Sequence, residues 1–162
     1  MLTKKWHPPT ILQIFCYGLA SSIFENGSTG KQTLRKNLNS FEYIAGPVLT
    51  VLSGKVKHWT LMFISLKSNE VTNINSFQAS RDDVETFRLN WMKFCKTRIG
   101  LKDKQWSTSI ASYGHIKQVD GFSCGVFVCH FFELLLNGQL QYLKNFYDVA
   151  EYRIKMRNTL TS

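Results

Sequence analysis

His58 to Leu66, HWTLMFISL, is a nearly unbroken apolar run of strand length. A strand with one wet face alternates apolar and polar residues, whereas a strand covered on both faces reads as a continuous apolar run. This segment is therefore expected to be the central strand of a sheet. Lys67–Glu70 follows as a polar turn, and Val71–Phe77, VTNINSF, returns as a second strand, so the pair reads as a β-hairpin. Upstream, Glu42–Leu52 is another β-type segment, with Gly46-Pro47 inside it and Ser53-Gly54 closing it as a turn.

The segments around this sheet read mostly as helices. Ile11 to Phe24 is expected to be a helix packed through Ile11, Ile14, Phe15 and Leu19 and stopped by Asn26-Gly27, and Ser28–Asn39 a polar, basic connection. Ser80 is placed to cap a second helix, with Asp82 and Asp83 in its first turn, where the helix dipole favours negative charge. Val84, Phe87, Trp91 and Phe94 recur on one face of it as a core stripe, and Gly100 is expected to end it. Trp106–Ile116 alternates loosely, as a strand does. Gly121 to Cys124 is a small-residue loop, and the chain from there through Leu136 is apolar on nearly every side before Asn137-Gly138, the pattern of a buried helix. Asn145–Leu160, with Val149, Tyr152 and Met156 among charges, reads as a helix on the surface.

At 162 residues, 44% of them hydrophobic, the chain suits one catalytic or binding domain with a real core, and disorder is excluded. Twenty Lys and Arg against eleven Asp and Glu give a net charge of +9, which draws the surface toward something acidic, nucleic acid included. The basic residues are scattered, so the charge also suits an ordinary surface. The cysteines Cys16, Cys95, Cys124 and Cys129 make no C-x-x-C pair and no zinc-finger spacing, so no structural metal is expected. Cys16, Cys95 and Cys129 read as small buried hydrophobes in a reduced, intracellular protein. No apolar stretch is long enough to span a bilayer, and no membrane partner is expected. Lys4 and Lys5 ahead of Ile11–Phe24 give a faint signal-peptide pattern, outweighed because the same run reads as the first helix.

Two residues carry candidate chemistry. Cys124 follows a Gly-containing loop at the start of a strongly apolar helix, where unpaired backbone N–H groups and the helix dipole favour negative charge on a nucleophile. On local evidence alone it reads equally as one more buried cysteine. His58 stands at the edge of the most apolar strand, which would hold a general base rigidly, although a lone histidine is more often structural.

Taken together, His58-Trp59, Asn75 within Ile74-Asn75-Ser76, and Gln118-Val-Asp-Gly-Phe-Ser-Cys124-Gly125 have the order and spacing of the SUMO-protease, or ubiquitin-like-protein-specific protease, family, which the chain resembles from about residue 41 to residue 138. That family carries His-Trp at the start of a central strand, an Asp in the next strand, and Q-x-N-G-x-D-C-G opening a buried helix. The resemblance implies an α+β, papain-like cysteine protease fold over residues 1–162, with a central, mainly antiparallel sheet flanked by helices. It implies Cys124 as nucleophile, His58 as its proton acceptor, Asn75 as the residue orienting the imidazole and Gln118 as an oxyanion donor, roles that acyl transfer requires. Trp59 would roof a narrow tunnel for the flat Gly-Gly tail of the modifier. The implied reaction is hydrolysis of the peptide or isopeptide bond after that tail, without metal or organic cofactor, by a monomer. The implied partner is a ubiquitin-like modifier, SUMO first and NEDD8 or ubiquitin next.

The departures from the pattern are specific. Asn75 replaces the acidic third member, so it accepts a hydrogen bond from the histidine but brings no negative charge. Ser123 stands where the family has Asp, and Asp120 where it has Asn. The family's N-terminal Trp-Leu-Asn-Asp motif is missing, and Trp6 is the candidate second tunnel wall, as in a shortened chain or a divergent branch. Two rival readings follow: an inactive relative that binds the modifier without cutting it, and a DNA-associated protease drawing on the positive charge.

Overall fold

The computed structural model describes residues 12–29, 37–52, 56–77, 81–98, 100–109, 117–139 and 148–161. Ser80, Ser53-Gly54, Trp6 and most of the expected strand after Trp106 lie outside them. In chain order the elements are β1 (Leu12–Ile14), α1 (Tyr17–Asn26), β2 (Tyr43–Leu52), β3 (Val56–Ser65), β4 (Glu70–Ile74), α2 (Arg81–Cys95), β5 (Ser107–Thr108), α3 (Cys124–Leu136) and α4 (Val149–Thr161), with a 3-10 turn at Leu38–Ser40.

Among the described residues the sheet has five strands in the order β1-β2-β3-β4-β5. Its middle is an antiparallel meander in which Leu61 of β3 stands opposite Pro47 of β2 and Ile74 of β4. Its two margins, β1 on β2 and β5 on β4, pair in parallel. Asn69 closes the β3–β4 hairpin in the left-handed region (φ 55°), which asparagine tolerates better than most residues.

β3 is buried on both faces, and this is why its sequence does not alternate. Met62 and Ile64 enter one core with Phe15, Leu19 and Ile23 from the first helical layer and Phe87, Trp91 and Phe94 from α2. Leu61 and Phe63 enter a second core with Phe127, Phe131, Leu134 and Leu135 of α3. The sheet is thus the middle of three layers, α1 and α2 below it and α3 above. α4 lies on α3, where its one buried residue, Tyr152, meets the His130 ring edge-on at 5.2 Å and Lys155 pairs with Glu133.

Three expectations change. The run from Ile11 is not helical from its start: Leu12–Ile14 is a strand, paired in register with Tyr43–Ala45, and Phe15 N–H still donates to the Ala45 carbonyl at 2.8 Å before the chain turns into α1 at Cys16. The stop at Gly27 holds, with φ 63° and its N–H bonded to the Ile23 carbonyl. α2 ends at Cys95 rather than at Gly100, which instead bends the following turn with φ 82°. Cys16 and Cys129 are exposed, and only Cys95 of the three supposed core cysteines is buried. Cys16 sits in the turn capping α1, outside the layer that α1 covers. Burial pushes the Cys95 thiol up to about 12, which makes it inert.

Candidate active site

The start of β3 and the residues just past β4 set the geometry. His58 lies opposite Thr50 of β2 and is 1% exposed. Its Nε2 is 2.8 Å from Oδ1 of Asn75, itself buried. The same Oδ1 accepts the backbone N–H of Phe77 at 2.8 Å. Because that N–H can only donate, the oxygen of Asn75 and not its nitrogen faces the ring, so Nε2 must carry the proton. The lone pair is therefore left on Nδ1, the tautomer a general base needs. The Phe77 ring lies 4.6 Å from the imidazole, centroid to centroid. Burial pushes the His58 pKa below its ordinary 6.5, and the Asn75 hydrogen bond opposes that shift in part.

The loop before α3 docks on the neighbour of Asn75. Gln118 N–H donates to the Ser76 carbonyl at 2.9 Å, and Ser76 Oγ donates to Gln118 Oε1 at 2.7 Å. The Gln118 amide nitrogen is turned toward Asp120, with 2.6 Å to its carbonyl oxygen and 3.1 Å to its Oδ1. Asp120 organises the rest of the loop, since Oδ1 also accepts the N–H groups of Phe122 (3.0 Å) and Ser123 (2.7 Å) and Oδ2 accepts the Ser123 hydroxyl at 2.6 Å. These donors hold its carboxyl down at about 2, the Ser123 hydroxyl contributing most. Cys124 follows as the first residue of α3 and is 8% exposed. Gly125 faces Trp59: a Cβ there would lie 3.8 Å from Trp59 Cδ1. The half-buried Trp59 belongs to neither core and meets Tyr17 of α1 edge-on at 5.2 Å. It thus stands over the first turn of α3.

The structure therefore joins His58 to Asn75, Gln118 to Ser76, and Trp59 to the turn carrying Cys124. It does not join Cys124 to His58 directly: among the described residues no hydrogen bond links the sulfur to the ring, whose side-chain partner is Asn75. Sequence reasoning missed Ser76, Asp120 as the loop's acceptor, and Tyr17. Asp120, two residues before a backbone donor, carries the local Asx-turn signal that could have found it; the other two are tertiary neighbours with no local signature.

The sequence pattern that defines the Ulp1 protease family, C-terminal catalytic domain, matches residues 22–160. The chain belongs to this family. The match to the Ulp1 protease domain is wider than the resemblance read from motifs, taking in half of α1 and nearly all of α4. Among solved structures the fold is similar to the Ulp1-like SUMO protease catalytic domain of Chaetomium thermophilum (TM-score 0.62, 16% identity, 91% of this chain and 58% of that one). It is also similar to the yeast C-terminal Ulp1 protease domain solved with Smt3, the yeast ortholog of SUMO (TM-score 0.54, 13% identity, 78% and 58%). A third similar structure is ChlaDub1 of Chlamydia trachomatis (TM-score 0.53, 14% identity, 88% and 75%). Against other Ulp1 structures the chain spans about half the partner's length, 52% in one case. A comparison with curated proteins finds no match.

Proposed function

We propose that this Ulp1-family domain is a cysteine peptidase that hydrolyses the peptide or isopeptide bond after the C-terminal Gly-Gly of a ubiquitin-like modifier, SUMO first. The observation that carries the reading is the pair Asn75-Ser76, in which one residue orients the imidazole of His58 and the next seats Gln118 on the loop that delivers Cys124. In this scheme His58 Nδ1 takes the thiol proton as sulfur attacks the carbonyl carbon. The imidazolium then protonates the leaving amine, and water hydrolyses the thioester. Gln118 Nε2 would be the side-chain donor to the tetrahedral oxygen, and to serve it must yield one of its two contacts with Asp120. Trp59, over the first α3 turn, would cover a thin, side-chain-free tail. Nothing in this scheme calls for a metal or cofactor.

The experiment is labelling by a SUMO tail carrying an electrophile, with NEDD8 and ubiquitin tails for comparison. Label on Cys124, lost in Cys124→Ser, is the expected result. The missing link between sulfur and ring, together with the uncharged Asn75, favours one rival, a modifier-binding module without turnover; tight binding with no label would establish it. The +9 charge supports a DNA-assisted protease as a second rival; turnover indifferent to added duplex at low salt removes it.

A further inference from the structure

α4 lies apart from the proposed catalytic residues, yet it reaches the loop before Cys124. Arg153 Nη2 donates to Ser123 Oγ at 3.3 Å, and the Arg153 guanidinium stands 5.9 Å from the centre of the Phe122 ring. Ser123 Oγ has one proton, which it gives to Asp120 Oδ2, so it must receive from Arg153. A continuous polar chain results: the guanidinium donates to the hydroxyl, the hydroxyl donates to the carboxylate, and the same carboxylate accepts the Gln118 amide and the N–H groups of Phe122 and Ser123. The first link polarises the second. The far end is firmly held, because α4 is capped by Asp148, whose Oδ1 accepts the N–H groups of Ala150 and Glu151, and is fixed to α3 on both sides of Arg153 by Tyr152 and Lys155.

We infer that Arg153 is a positioning residue: through Ser123 and Asp120 it sets the orientation of the Gln118 amide and the turn into Cys124, so that α4 is part of the catalytic apparatus. This rests on the proposed peptidase reading for its effect on turnover, but not for its effect on the loop. Arg153 is exposed, so its replacement removes the link without opening a core. In Arg153→Ala, kcat is expected to fall about tenfold with KM within about twofold, as for a group acting only in the transition state. Hydrogen exchange of the Phe122 and Ser123 amides and of the Gln118 side-chain amide should rise while the melting temperature holds. Arg153→Lys, which keeps a donor and its charge, should recover most of both. Ser123→Ala cuts the same chain from its other end, and the double variant should be no worse than the worse single. Unchanged exchange in residues 118–124 of both single variants overturns the inference whether or not the wild type turns over; unchanged kcat in an active enzyme overturns it as well. Absence of turnover in the wild type counts instead against the peptidase reading.

Discussion

One carbonyl oxygen, Asn75 Oδ1, accepts two hydrogen bonds and thereby decides which nitrogen of His58 is free. Asn75→Ala should lower kcat by about a hundredfold or more, the scale on which loss of the correct tautomer acts in triads. Asn75→Asp tests the missing charge. Burial already holds the His58 pKa below 6.5, and a carboxylate beside the ring would raise it. The acid limb of kcat/KM is therefore expected below about pH 6.5 in the wild type and at higher pH in Asn75→Asp, as read from a pH–rate profile. Trp59→Ala should raise KM for a modifier-tail substrate more than it lowers kcat, because the indole belongs to no core and stands over the turn that carries Cys124. At this scale the identities of His58, Trp59, Asn75, Gln118 and Cys124 were legible because their types and intervals are written in the chain. Ser76 and Arg153 were not. Their partners lie 42 and 30 residues away, and no local period announces such contacts.

Among the elements, α1 and α2 carry the larger core. Trp91 is fully buried, with Phe94 stacked at 5.0 Å and Trp106 edge-on at 5.4 Å, so Trp91→Ala should cost about 3–5 kcal/mol in urea denaturation. Gly46 lets α1 lie against β2: a Cβ there would come 2.7 Å from Ala20 Cβ and 3.2 Å from Phe15 Cβ. Gly46→Ala should therefore destabilise by about 1–3 kcal/mol, the usual cost of overpacking. β3, β4, α2 and α3 were legible because burial on one face or on two prints a period or an unbroken run. β1 was not, since the apolar run from Ile11 satisfies a helical period as well as a strand's. Only its ladder with Tyr43–Ala45, set by tertiary pairing, separates the two.

For the molecule as a whole, acid should be the destabilising direction. His58 and His130 both have pKa values lowered mainly by burial, so the folded state binds fewer protons than the unfolded chain just below pH 6.5. Their neutral forms stabilise the fold fully above that value, and this contribution fades as pH falls through the lowered folded-state pKa values. Melting temperature is expected to decline from pH 7 toward pH 5 and again near Asp120's value of about 2. The layered α+β plan was legible from the sequence, whereas the parallel margins were not, because two- and three-residue ladders are too short to leave a pattern. Those short margins also govern how copies of the chain meet. Among the described residues, the long, apolar β3 sits in the centre, and the outer ladders at β1 and β5 offer an incoming strand only a few backbone groups to bond. Stacking of molecules edge to edge into fibrils is disfavoured by this arrangement, without any help from charge.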